Sequence, residues 1–352
     1  MMTESHVIAV SDQTINQSLS AVYCVVEEIR ISCHVKLKLL EFIMIGILLT
    51  SNCLLGITCN IISIFILSRK EMKSSINCCL VGLACFDIMV LLTSTIVFGI
   101  PAIVKYTSLF TGSFEFSNWL FLLTNVAYTG SIYAVLAVTV ERYIAVCHPL
   151  KAKHICTYGR ARFCMLLIAI FAVLYNIPVF FQYEMKPLVE MPANVNRGFV
   201  FRETPLNRTD IILEIYSTCM HLLVIFVVPF GALGVLNGSI FRKIRCTNCI
   251  LYLQNQRKRK EKELTTMVFA IVVLFMMCNT LPIVRNIFML LHVKYDISVP
   301  TLIYQIVGYL CILLVNLNSS LNFFIYFFFV QKFRRLFLSI FCGRCMSEEQ
   351  AS

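Results

Sequence analysis

Charge is scarce in this sequence. Asp, Glu, Lys and Arg make up 14% of the 352 residues against 59% apolar ones, and the mean hydropathy is +0.80. That much apolar surface exceeds what a soluble core of this length can hide, so a water-soluble globular chain is excluded. Also lacking are the alternating ten-residue segments of a membrane barrel, since the apolar residues fall in continuous runs. No internal repeat, low-complexity tract or separate polar domain interrupts them, and the longest charge run is Arg257–Lys262. The stretch Met1–Leu19 is mostly polar and has no cleavable signal pattern, so the first apolar run is expected to act as the insertion signal.

What is present is a set of seven apolar runs, each long enough to cross roughly 30 Å of hydrocarbon as a helix of about 20 residues. They cover Leu39–Ser68, Ser75–Val104, Asn118–Val146, Arg162–Phe181, Ile215–Phe241, Leu264–His292 and Thr301–Val330. The expected fold class is an all-α membrane protein with a seven-transmembrane helix bundle over residues 39–330. An extracellular tail (1–38) precedes it, and a short amphipathic helix with a cytoplasmic tail (331–352) follows. The net charge of +11 orients the bundle, because 19 of the 30 Lys and Arg lie after the first, third and fifth spans or in the tail. The positive-inside rule makes those segments cytoplasmic and places the N-terminus outside. Glycosylation sequons at Asn16 and Asn207 both fall on the outer face so assigned. The expected location is the plasma membrane. The strip Arg257–Lys262 reads as the cytoplasmic stem of the sixth helix, serving topology alone or also touching acidic lipid or a partner. Nothing points to a nucleic-acid partner.

Polar residues within the spans are few, and each needs company there. Asp87 lies mid-span in NCCLVGLACFD, Asn60 at matching depth in the first span, Ser131 in the third, and Asn318, Ser319 and Asn322 in the seventh. A carboxylate in hydrocarbon must be paired or protonated, so these groups are expected to meet around Asp87. Two readings stay open: a sodium-binding switch centre of Asp87, Ser131, Asn318 and Asn322, or a static polar knot joining helices. Further absences narrow the function. No Ser or Cys nucleophile with a base and oxyanion donors can be assembled, even with Glu214 and His221 near the start of the fifth span, so no enzyme is expected. Intramembrane charges paired along a path, broken helices in both halves and internal repeats are all missing, against a seven-span transporter or channel. No cofactor is expected beyond an allosteric sodium ion.

At the inner end of the third span stand Glu141, Arg142 and Tyr143. Taken alone, the charged pair can be an interfacial one whose arginine snorkels. Together with Asn60, LACFD in the second span, Pro229 in the fifth, Pro282 in the sixth, and NSSLNFFIY followed by QKFRRLF, it resembles the rhodopsin-like G protein-coupled receptors. More narrowly, ERYIAVCHPLKAKHICTYGRAR, VLNGSIFRKIR, CNTLP and NSSLNFFIYFFFVQKFRRLF resemble the invertebrate FMRFamide-type neuropeptide receptors. Asn237, Thr280 and Phe323 stand where many receptors carry Tyr, Trp and Pro, departures that this subgroup tends to share. The resemblance implies a receptor for an amidated neuropeptide that couples to a heterotrimeric G protein. It implies that Glu141 holds Arg142 at rest and that ligand frees it as the sixth helix pivots near Pro282. The opened cleft would be lined by Tyr326, Asn237 and the basic strip, with Tyr143 and Asn322 completing the switch set.

Other departures concern the outer face. The family staples the top of the third helix to the second outer loop by a disulfide, yet the position 25 residues before Arg142 is Ser117, and Phe181–Glu214 contains no cysteine. Cys24 and Cys33 can bridge each other or reach Cys219 or Cys311, a choice that spacing leaves open. Lys262 stands where many relatives carry an acid that pairs the arginine of the third helix, with Glu261 and Glu263 beside it. Two C-x-x-C pairs, Cys246 with Cys249 and Cys342 with Cys345, lack the nearby histidines that would favour zinc. Cys342 and Cys345 follow the amphipathic stretch and are expected as acylation sites anchoring it to lipid, with free thiols as the alternative.

The outer half of the third span reads LLTNVAYTGS, with Thr124 and Asn125 and no acid where an amine receptor usually needs one. A peptide is therefore favoured over a non-peptide ligand such as a small amine or odorant, which stays as the alternative. A peptide ending in Arg-Phe-amide brings one cation and one ring but no carboxylate, so its pocket needs an acid near the mouth and an aromatic, uncharged floor. Phe98, Tyr128 and Tyr133 are expected to face inward and Tyr304 and Tyr309 to wall the seventh helix. Glu214 is expected to meet the peptide arginine, with Glu184 and Glu203 next in line and an exposed solvating role for Glu214 as the alternative. His221 is pocket wall or packing. Arg285 either snorkels to the surface or meets a ligand carbonyl or carboxylate.

Overall fold

A computed structural model describes residues 35–107, 118–187, 199–203, 219–248, 256–295, 301–341 and 343. Among them, seven helices are long and apolar enough to cross a membrane. They are α1 (Val35–Leu67), α2 (Ser75–Thr107), α3 (Asn118–Cys147), α4 (Tyr158–Gln182), α5 (Cys219–Ile244), α6 (Gln256–Tyr295) and α7 (Leu302–Phe329). Every expected span is there. The ends shift where helical backbone outruns the apolar stretch, most of all in α6, whose first turns are built from the basic strip because Arg, Lys and Glu propagate a helix well. A short amphipathic helix, α8 (Gln331–Phe341), follows α7. We call the end of the bundle that carries Glu141 and Arg142 the inner end.

The helix α3 is the hub, packed against α2, α4, α5 and α6, while α7 sits among α1, α2 and α6. The larger core includes Leu83, Ile132, Val135, Phe226, Met267, Phe275 and Tyr326, and a smaller outer cluster joins Ile45, Leu49, Cys53, Leu91 and Ala102. The opposite faces are just as apolar. On α4, Phe163, Leu166, Ile170, Leu174 and Ile177 all point outward, as expected where the surrounding solvent is lipid. Small residues bring backbones together: a side chain at Gly56 of α1 would collide with Ser320 of α7.

Two features go beyond the sequence reading. The outer halves of α1, α2 and α5 are π-helical over Phe42–Leu49, Thr95–Gly99 and Leu222–Val227. The loop after α4 also adds a small hairpin to the all-α bundle, where β1 (Tyr183–Pro187) pairs antiparallel with β2 (Phe199–Glu203). The Phe-Val-Phe run of β2 suits a strand, and the register sets Glu184 opposite Arg202. A backbone ladder thus joins two segments of a loop whose sequence lacks the cysteine of the family disulfide.

Candidate functional site: a polar centre, an inner switch and an outer floor

Asp87 on α2 is completely buried, and its two carboxylate oxygens serve different helices. Oδ1 accepts a hydrogen bond from Ser131 Oγ of α3 at 2.7 Å, and Oδ2 accepts one from Asn322 Nδ2 of α7 at 2.7 Å. Ser319 of α7 stands beside the carboxylate. Glycine makes this convergence possible, because Phe86, the neighbour of Asp87, lays its ring where a side chain at Gly130, the neighbour of Ser131, would stand. Asn60 does not join the acid as expected. It donates to Gly56 O and Ser319 O, both at 2.9 Å, and so ties α1 to the backbone of α7. Asn318 is buried on α7 but gives Asp87 no hydrogen bond. Two acceptors here, Asn60 Oδ1 and Asn322 Oδ1, are buried with no donor.

At the inner end, Glu141 and Arg142 are both 8% exposed, with Arg142 Nη2 3.7 Å from Glu141 Oε1. Ser75, the first residue of α2, donates to the same oxygen at 2.5 Å. Its place is fixed locally, since Ser74 caps α2 by accepting from Asn77 N at 3.3 Å. One carboxylate is therefore shared by a hydroxyl and a guanidinium. The Tyr143 hydroxyl lies 3.4 Å from His148 Nε2, beside a short helix at Pro149–Ile155. On α6, Lys262 is exposed and Glu263 Oε2 accepts from Gln331 N, at the start of α8, at 3.4 Å. Tyr326 is buried against Phe333 of α8 with a partnerless hydroxyl, and Asn237 donates within α5 to Leu233 O at 2.8 Å. Neither hydrogen-bonds Arg142 in this arrangement. Pro282 is buried within the continuous α6.

Further out, the Tyr128 hydroxyl of α3 donates to Asn279 Oδ1 of α6 at 2.7 Å, while Asn279 Nδ2 donates to Phe275 O at 2.8 Å. Asn279 is fully buried. Sequence reasoning misses it as a site residue, although a polar amide inside an apolar span is the same signal that marks Asp87. Tyr133, expected to face inward beside Tyr128, faces elsewhere. Its hydroxyl donates to Val224 O in the π-helical part of α5 at 2.9 Å, and its ring meets Phe171 of α4 edge-on at 4.8 Å. Five residues turn a helix through about 140° beyond one full turn, so the two tyrosines cannot share a face.

The remaining pocket candidates are dispersed. Thr124 and Asn125 donate within α3 to Leu120 O and Phe121 O, both at 2.8 Å. Phe98 and Tyr309 pack on the smaller outer cluster, and His221 is half-buried with its ring 5.9 Å from that of Phe226. Arg285 does not snorkel away: Nη2 donates to the Tyr304 hydroxyl at 3.3 Å and the guanidinium lies 5.1 Å over the same ring, between α6 and α7. A further acid missed in the sequence, Glu41 of α1, pairs with Lys105 of α2 at 2.6 Å near the outer end.

The pattern described as 7 transmembrane receptor (rhodopsin family) matches residues 59–326. The chain belongs to that receptor family. An FMRFamide receptor of Drosophila melanogaster is 38% identical to this receptor over 316 residues, covering 88% of this chain and 56% of that one. An FMRFamide peptide receptor of Caenorhabditis elegans is 31% identical over 302 residues, 83% of this chain and 68% of that one. The mouse thyrotropin-releasing hormone receptor is 28% identical over 332 residues, 85% and 79%. The receptor chain thus spans little more than half the length of its Drosophila relative.

Several expected sites of the receptor lie outside the described residues: Asn16, Cys24, Cys33, Ser117, Asn207, Glu214, Cys342 and Cys345. Glu184 and Glu203 are placed by backbone register alone, opposite Arg202 and Tyr183. Cys219 and Cys311 carry free thiols, and among the described residues no three His, Cys, Asp or Glu gather as metal ligands.

Proposed function

We propose that the receptor binds a short amidated neuropeptide of the Arg-Phe-amide type at its outer end and signals to a heterotrimeric G protein at its inner end. The observation that carries this is identity of 38% and 31% to two FMRFamide receptors over 88% and 83% of the chain, well beyond the general switch residues. The outer half of α3 supports it, because Thr124 and Asn125 offer an amine ligand no counter-ion. The placement is multi-pass in the plasma membrane, N-terminus outside, glycosylated at Asn16 and Asn207. Supporting that orientation, the Lys- and Arg-rich segments gather at the inner end: Lys73 lies 5.0 Å over the Tyr158 ring, Arg160 donates to His154 O at 2.6 Å, and Lys332 donates to Glu71 O. There α8 lies along the lipid surface, acylated at Cys342 and Cys345.

In this reading the buried Glu141 neutralises Arg142 at rest. An agonist favours a second arrangement in which α6 swings about Pro282, Glu263 parts from Gln331, and Arg142 exchanges its carboxylate for the carbonyls of the G protein. In it Asn237 and the Tyr326 hydroxyl, idle at rest, line the opened cleft.

The Asp87 group fits a sodium ion in its chemistry: one carboxylate, a hydroxyl at Ser131 and an Asn322 Oδ1 buried without a donor, with the buried Asn318 amide about one turn away on α7 as a further candidate. A bound cation would supply the positive charge that a carboxylate in hydrocarbon lacks. The receptor's own residues then hold α2, α3 and α7 together in the resting arrangement.

The test is a calcium and cyclic-nucleotide screen of transfected cells against amidated peptides, amines and odorants. Responses confined to peptides with an Arg-Phe-amide end are the expected result. A response to an amine with silence toward every amidated peptide would overturn the proposal.

A further inference from the structure

Tyr128 and Asn279 form a neutral, self-satisfied polar pair between α3 and α6. The pair lies one turn inward of Pro282, the pivot of α6. One turn further in, Phe275 packs on Phe230 of α5, ring centroids 5.4 Å apart. The cation nearest in sequence on α6, Arg285, lies six residues further out and is engaged with Tyr304. A ligand reaching this depth meets one hydroxyl donor and one amide acceptor, and no formal charge hydrogen-bonded to either.

We infer that Tyr128 and Asn279 are the subsite for the C-terminal carboxamide of the peptide, and that exchanging their mutual hydrogen bond for bonds to the ligand releases α6 from α3. The inference rests on the proposed function. Its chemistry is a matter of matching donors and acceptors. Separating the pair leaves Tyr128 needing an acceptor and Asn279 Oδ1 needing a donor, and a buried group left unmatched is costly. A primary carboxamide supplies both at once, its carbonyl accepting from Tyr128 and its N–H donating to Asn279. A carboxylate supplies only the acceptor, sets its charge against Asn279 Oδ1, and must be stripped of water to arrive. An ester also lacks the donor. The site therefore discriminates amide from acid by leaving a partner unsatisfied, the kind of discrimination that binding alone achieves strongly. The same exchange removes a side-chain tie between the central helix and the helix that must swing.

The experiment compares Phe-Met-Arg-Phe-amide with its free acid and methyl ester on cell-surface receptor at matched expression, in wild type, Tyr128→Phe, Asn279→Ala, the double variant and Tyr133→Phe. Wild type should prefer the amide by about 10- to 100-fold, the scale of one unmatched buried group. Asn279→Ala removes the acceptor that only the amide satisfies and should erode that preference. Tyr128→Phe removes a donor that amide and acid share and should weaken both while keeping their ratio. Each should raise basal signalling, and the double variant should show the Asn279→Ala ratio. Tyr133→Phe, which removes a hydroxyl from the same helix but another face, should keep the wild-type ratio. If Asn279→Ala fails to reach the surface, the near-isosteric Asn279→Leu takes its place, and Tyr128→Phe must still weaken amide and acid alike. An unchanged amide-to-acid ratio in the Asn279 variant, or wild-type potency of both peptides on Tyr128→Phe, overturns the assignment while the proposed function stands. Silence of wild type toward all three peptides sinks both.

Discussion

Ser75 Oγ lies 2.5 Å from Glu141 Oε1, closer to that oxygen than Arg142, whose guanidinium is 3.7 Å away. In the proposed reading the resting switch is a three-residue arrangement in which the first turn of α2 orients the carboxylate for the arginine of α3. A hydrogen bond to a charged acceptor contributes about 1.5–3 kcal/mol. Ser75→Ala should therefore raise basal second-messenger output several-fold at matched surface expression, and add little in a Glu141→Gln background. Basal output that is unchanged or lower would show that the hydroxyl only fills space.

The Asp87 centre makes a prediction about ions. Agonist affinity should fall as sodium replaces choline at constant ionic strength, and Asp87→Asn should abolish the difference. Equal affinity in both salts for wild type would leave Asp87, Ser131 and Asn322 as a structural knot only.

Packing beside that centre can be tested without any ligand. Gly130→Val forces a side chain into the Phe86 ring, and overpacking of a tight core costs about 1–3 kcal/mol. The detergent-solubilised variant should melt earlier than wild type, and Phe86→Ala should restore part of the loss. Melting that matches wild type would mean the α2–α3 contact is looser than described here.

Much of this was legible in the sequence for one physical reason. Hydrocarbon punishes unpaired polarity so severely that apolar length gives the seven helices and intramembrane polarity gives the partners of Asp87. Helix rotation was not legible. Spans that are apolar on all sides carry little amphipathic signal to say which face turns inward. Hence Tyr128 and Tyr133 look alike in sequence although one reaches α6 and the other α5, and Asn60 reads as a partner of an acid to which it gives no hydrogen bond. The Ser75 contact was hidden for another reason: it joins residues 66 apart, and a serine at a helix start has a local role that already explains it.

The peptide arginine gives a prediction on the outer side. Glu214 is the proposed partner, and truncating one member of a partly desolvated charged pair costs about 2–5 kcal/mol. Citrulline in the peptide and Glu214→Gln in the receptor should each weaken potency, and together no more than either alone. Additive losses would pass the role to Glu184 or Glu203, or to Glu41 if it can leave Lys105.

The central claim is that an amidated peptide at the outer end frees Arg142 at the inner end for a G protein. Nucleotide exchange on purified G proteins, driven by purified receptor with and without Phe-Met-Arg-Phe-amide, tests it most directly. Wild type should accelerate exchange on at least one G protein class only when peptide is present. Arg142→Ala should bind peptide yet leave exchange at its unstimulated rate. Peptide-driven exchange by Arg142→Ala equal to that of wild type would contradict the account.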